Sequence, residues 1–85
     1  MEPNETPEQF LYRSFRLLDL GKFDEAIENC RKSIKIDSNF FDAYKNLGNI
    51  FSELGNVDEA IKNYQSALKI KPENSIILHN ISALS

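Results

Sequence analysis

Few side chains in this 85-residue chain are of a kind that does covalent or metal chemistry. His79 is the one histidine and Cys30 the one cysteine, so neither has a fellow at metal-ligand or disulfide spacing. No glycine-rich phosphate loop precedes a helix, and no Ser/His/acid set converges. The chain is therefore not expected to be an enzyme, and no cofactor or metal is implied. What remains is hydrogen bonding and contact chemistry. Asn46 and Asn80 stand 34 residues apart. A carboxamide is both donor and acceptor, so it can hold a peptide backbone without reading its side chains. Leu11, Tyr12 and Phe15 form an apolar and aromatic cluster, and such a patch, if exposed, suggests partner contact.

The spacing of those asparagines belongs to the whole chain. Aligning Leu20–Ile36 with Leu54–Ile70 makes Leu20/Leu54, Gly21/Gly55, Asp24/Asp58, Glu25/Glu59, Ala26/Ala60 and Ile27/Ile61 identical. Asn29/Asn63, Lys35/Lys69 and Ile36/Ile70 are identical too, while Phe10/Tyr44, Leu17/Phe51 and Ile34/Leu68 keep their character. A period of this length means stacked supersecondary units, none of which can bury its apolar face alone. Function then moves from a catalytic cleft to the surface that the stack presents.

Composition agrees. Apolar residues at 41% and charged residues at 27% suit a soluble globular chain rather than a disordered one. A net charge of −3 and a pI near 5.0 argue against nucleic acid as a partner. No apolar run approaches the roughly 18 residues of a membrane span. The first residues show no basic start or apolar stretch, so no secretory signal is expected and the cytoplasm is the default compartment. The triplets Asn4-Glu5-Thr6 and Asn80-Ile81-Ser82 are read as chance matches to a glycosylation pattern.

The elements follow from local signals. Residues 1–6 are polar and are expected to form a flexible N-terminus. Thr6 can cap a helix that starts at Pro7, with Gln9 reaching back in a capping box. Phe10, Ser14, Leu17, Phe23 and Ala26 mark the inner face of a first hairpin, and Gly21 ends its first helix. A second helix is expected over 23–36, a third over 40–53 ending at Gly55, and a fourth over 57–70 stopped by Pro72. A last helix begins after Glu73-Asn74-Ser75. Five helices, no strands and short connectors imply antiparallel neighbours.

Read from Phe41, the second unit closely resembles the tetratricopeptide (TPR) pattern: Tyr44, Leu47-Gly48, Phe51, Ala60, Tyr64 and Pro72 fall at the pattern's offsets. Gly48 and Ala60 are small where two helices must approach closely. The first unit departs more: Arg13-Ser14 replaces Leu-Gly, Cys30 replaces the aromatic, and Ser38 replaces proline. Arg13 and Arg16 fall on the face that would meet a preceding repeat, and are expected to meet water instead. The resemblance implies an all-α, TPR-type right-handed superhelix. Its parts are a first repeat at 7–40, a second at 41–74, and a capping helix at 75–85 that is the first helix of a truncated third repeat.

It also implies a function, protein–protein interaction, with a peptide or helix of a partner held in a concave groove. Groove positions carry over as three rows: Glu8, Leu11, Tyr12 and Phe15; Asp42, Lys45, Asn46 and Asn49; Ile76, His79 and Asn80. The expected peptide-binding residues are Lys45, Asn46, Asn49, Asn80, Tyr12 and Phe15. Lys45, Asn49 and Asn80 match three elements of the carboxylate clamp of TPR co-chaperones; the other two would fall near positions 110 and 114, outside this sequence. Ile76, Ile77, Leu78, Ile81 and Leu84 support an alternative, an assembly unit that forms homo-oligomers through its last helix. That helix is expected to split into two faces, with Ile77, Ile81 and Leu84 inward, Leu78, Ser82 and Ser85 outward.

Overall fold

Thr6 starts the fold. Its hydroxyl accepts the Gln9 amide at 3.2 Å while the Gln9 side chain accepts the Thr6 amide at 3.3 Å, closing a capping box ahead of Pro7. The computed structural model describes residues 5–84. They form α1 (Pro7–Asp19), α2 (Phe23–Ile36), α3 (Phe41–Glu53), α4 (Val57–Ile70) and α5 (Ser75–Leu84), with no strand among the described residues. Of the expected flexible residues 1–6, Thr6 is held by its cap and Glu5 by Arg13, 3.2 Å away. Residues 1–4, and with them Asn4 of the first triplet, lie outside the described residues, as does Ser85.

The two hairpin turns are copies of one device. Gly21 and Gly55 adopt φ of 75° and 79°, a left-handed conformation open to glycine without cost. That conformation turns two amides back onto each helix end. Lys22 N–H donates to the Leu17 carbonyl and Asn56 N–H to the Phe51 carbonyl, both at 2.8 Å. The glycine amides donate to the carbonyls of Leu18 and Ser52, so these carbonyls in the last turns of α1 and α3 are satisfied. Asp24 and Glu25 in α2, and Asp58 and Glu59 in α4, then complement the helix dipoles, with Lys35 and Lys69 at the far ends.

Each hairpin closes on small residues. Ala26 and Ala60 are fully buried, and a Cβ on Gly48 would come within 2.4 Å of the Tyr64 ring. The aromatic ring therefore lies flat against helix backbone, which a glycine alone permits. The first hairpin solves the same crossing with Ser14 and Cys30, both fully buried. Ser33, the counterpart of Ala67, adds a hydrogen bond from its hydroxyl to the Pro7 carbonyl. Between hairpins α2 packs on α3 and α4 on α5, giving a slab of 40 × 27 × 16 Å with one continuous core. This is an all-α superhelix of stacked helix pairs.

α5 docks by one face. Asn74 caps it, accepting the Ile77 amide at 3.0 Å. Ile77 is fully buried, and Ile81 and Leu84 pack against the core; Ile76 and Leu78 stay 65% and 47% exposed. Among the described residues no helix is long and apolar enough to cross a membrane.

Two measurements check this packing. Gly48→Ser should destabilise by about 1–3 kcal/mol through its clash with Tyr64, yet in a Tyr64→Cys background it should cost much less. Additive costs in urea melts would show that the ring does not rest on the glycine. Ile77→Ala should cost about 2–4 kcal/mol and Ile76→Ala under about 0.5; equal losses would require α5 to dock in another rotation.

Candidate functional site

The 34-residue period places equivalent side chains of α1 and α3 beside one another: Glu8 with Asp42, Leu11 with Lys45, Tyr12 with Asn46, Phe15 with Asn49. Together with Phe40 they line one open groove of about 590 Å³. The first two expected rows thus meet in a single depression. The third row stands outside it: Ile76 and His79 are exposed, while Asn80 joins Asn49, Tyr64 and Leu84 around a second hollow.

The α1 wall is aromatic. Tyr12 is 66% and Phe15 43% exposed, and their rings meet edge-on with centroids 6.4 Å apart. Leu11 departs from the expected exposed cluster, because it is buried at 7%. On a helix it lies next to the Phe10 and Ser14 positions that form the hairpin seam, so it lines the groove floor.

The α3 wall is polar, but much of its polarity points inward. Asn46 is 6% exposed, and its amide donates to Ser14 Oγ at 3.0 Å and to Cys30 Sγ at 3.2 Å. Both amide hydrogens are used, which leaves only its carbonyl oxygen for a ligand. The cause is the smallness of Cys30: where the second repeat has the Tyr64 ring, the first has space that a carboxamide fills. Ser14 in turn donates to the Leu11 carbonyl at 2.6 Å, so the network is closed. Asn80, the counterpart of Asn46, hydrogen-bonds the Tyr64 hydroxyl. That hydroxyl also donates to Asn49 Oδ1, leaving the Asn49 amide directed to solvent and the groove. The asparagines at 46 and 80 are therefore unequal rungs, one buried beneath the groove surface and one tied to Tyr64.

Charge in the groove is partly neutralised. Lys45 Nζ lies 3.8 Å from Asp42 Oδ1 and 5.8 Å from the Phe41 ring centroid, which Lys71 also covers at 4.5 Å. Burial raises the Cys30 thiol above its ordinary pKa, against the smaller lowering by its Ser14 and Asn46 hydrogen bonds. Tyr64 is raised for the same reason, with Asn80 acting against it. Among the described residues no three His, Cys, Asp or Glu side chains gather as a metal site would need. On the opposite side of α1, Arg13 pairs with Glu5 and sits over the Phe10 ring at 5.1 Å.

The Ser14–Cys30–Asn46 network was not expected from the sequence, although its signal was present. At a spacing of 34, Ser14 and Cys30 both differ from Gly48 and Tyr64, and both changes occur across one helix crossing.

The Tetratricopeptide repeat family matches residues 41–74, and the related TPR repeat family matches 16–55. The chain belongs to the tetratricopeptide repeat family. No curated protein matches it significantly. Among solved structures, MamA superposes with a TM-score of 0.88 at 23% identity, over 93% of this chain and 43% of MamA. The first TPR of Spaghetti (RPAP3), bound to the HSP90 peptide SRMEEVD, gives 0.86 at 23% identity, over 93% of this chain and 63% of that one. The second TPR domain of human RPAP3, in complex with the HSP70 peptide SGPTIEEVD, gives 0.84 at 23% identity, over 93% and 66%. The chain thus spans between 43% and 66% of the length of these neighbours.

Because Asn46 closes a buried network, Asn46→Ala should destabilise by about 1–3 kcal/mol. Cys30 should resist an aromatic disulfide reagent in the folded protein and react rapidly in urea or in Asn46→Ala. A thiol raised in the folded state holds a proton that the unfolded chain gives up first, so stability should fall as pH rises past the thiol's ordinary value. A fast-reacting native thiol, or a neutral Asn46→Ala, would remove the network.

Proposed function

We propose that this chain is a protein-interaction module whose groove between α1 and α3 takes an extended peptide or a helix of a partner protein. The observation that carries this reading is the Tyr12–Phe15 pair, exposed on a rigid helix and facing the polar α3 wall across a groove. Aromatic side chains lose little entropy on contact and contribute most when a partner covers them. In the proposed contact set Tyr12 and Phe15 supply apolar area, the Asn49 amide and the Asn46 carbonyl meet the partner's backbone, and Lys45 and Asn80 flank them. The proposed repeats are 7–40 and 41–74, with 75–85 opening a third. The RPAP3 domains bound to peptides share the fold and support the reading at that level. The free Cys30 thiol suits a reducing compartment, and the cytoplasm is the proposed setting.

A partial carboxylate clamp of Lys45, Asn49 and Asn80 is the less favoured variant, since Lys45 already lies against Asp42 and Asn49 accepts from Tyr64. Self-assembly is a second reading, favoured by the exposure of Ile76 and Leu78 on α5.

One comparison tests the groove. Proteins retained by the parent chain should be lost from a Tyr12→Ser/Phe15→Ser bait whose melting temperature stays within a few degrees, as identified by mass spectrometry. An unchanged set of bound proteins would exclude the groove. Sedimentation separates the assembly reading, which requires a mass that rises with concentration and falls back in Leu78→Asp.

A further inference from the structure

We infer that the groove selects basic peptides, taking a lysine or arginine between Glu8 and Asp42 with a neighbouring apolar side chain against Tyr12 and Phe15. This rests on the groove being the binding surface, and it names the chemistry of the partner. Glu8 and Asp42 are 34 residues apart and therefore stand at the same level of neighbouring helices. Both line the one groove of about 590 Å³, so a cation entering it meets both carboxylates. Acidic residues in a first helical turn also complement the helix dipole, and that role alone would explain their presence.

Three further observations point to a ligand cation. Tyr12 stands one turn beyond Glu8 on the same face, 66% exposed, and offers a ring face to a cation. Among the described residues no lysine or arginine pairs with Glu8. Among the described residues Lys45 is the one basic residue lining the groove, and it is drawn to Asp42 at 3.8 Å and toward the Phe41 ring. The groove therefore presents two carboxylates against one ammonium. An acidic segment such as SRMEEVD, held by the first TPR of Spaghetti (RPAP3), would have to displace Asp42 from Lys45 and approach Glu8. A basic segment meets neither obstacle, and the net charge of −3 attracts it from a distance.

The test is selection of a random peptide library, displayed on phage, on the full chain. Enriched peptides should carry lysine or arginine beside an aliphatic or aromatic residue. A synthetic copy of the strongest should lose about tenfold in affinity toward Glu8→Lys/Asp42→Lys, and should weaken between about 50 and about 300 mM salt. The neutral pair Glu8→Gln/Asp42→Asn, with folding followed by circular dichroism, gives the same direction if charge reversal unfolds the protein. Acidic or uncharged peptides that bind the parent but not Tyr12→Ser/Phe15→Ser would overturn the basic preference and keep the groove. Peptides indifferent to Tyr12→Ser/Phe15→Ser, or no enrichment, would overturn both.

Discussion

Two helices of one hairpin can share a core only if their backbones come close, and that crossing governs the rest of this molecule. In the second hairpin the Tyr64 ring lies where the Cβ of any residue other than glycine at position 48 would be. In the first hairpin the same distance is filled by Ser14 and Cys30, with the carboxamide of Asn46 closing the remaining space. The two solutions trade volume for hydrogen bonding. A ring brings apolar contact area; the Ser–Cys–Asn set brings less area but leaves no buried side-chain polar atom unpaired among the described residues.

That trade shapes the surface above it. Because Asn46 is drawn into the first hairpin, the middle of the groove is walled by a buried residue, and the freely presented groups are Tyr12, Phe15, Glu8 and the Asn49 amide. Asn49 is itself positioned by the Tyr64 hydroxyl, so the packing of the second hairpin sets one edge of the groove while the first sets its floor. Core and groove are thus one connected network.

Electrostatics adds direction. The pairing of Lys45 with Asp42 is exposed and contributes little to stability. In the proposed binding mode its effect is on recognition, since it occupies the ammonium that an acidic ligand would need. A fold shared with peptide-binding neighbours can in this way carry a groove of different charge.

The fold was legible in the sequence to within a residue at most helix ends. Caps, turn glycines and the placement of Ala60 and Gly48 are local or periodic features, and each acts through its own few neighbours. The two rows that line the groove came from the family resemblance, and the period only set which of their members are equivalent. Periodicity says which residues share a level but not how deep each one sits. The resemblance places Leu11 and Asn46 on the groove surface; both are buried, since depth depends on the volume of residues from other helices. Asn46 sinks because Cys30, sixteen residues earlier and on another helix, is smaller than Tyr64. The pairing of Lys45 with Asp42 lies within reach of the sequence, whereas the hydrogen bonds of Tyr64 to Asn49 and Asn80 join three helices. Sequence alone therefore determined the elements and their order, because these follow from backbone geometry and the repeat period. The tertiary structure decided which groove groups are exposed and which are already hydrogen-bonded, because that is set by close packing between helices.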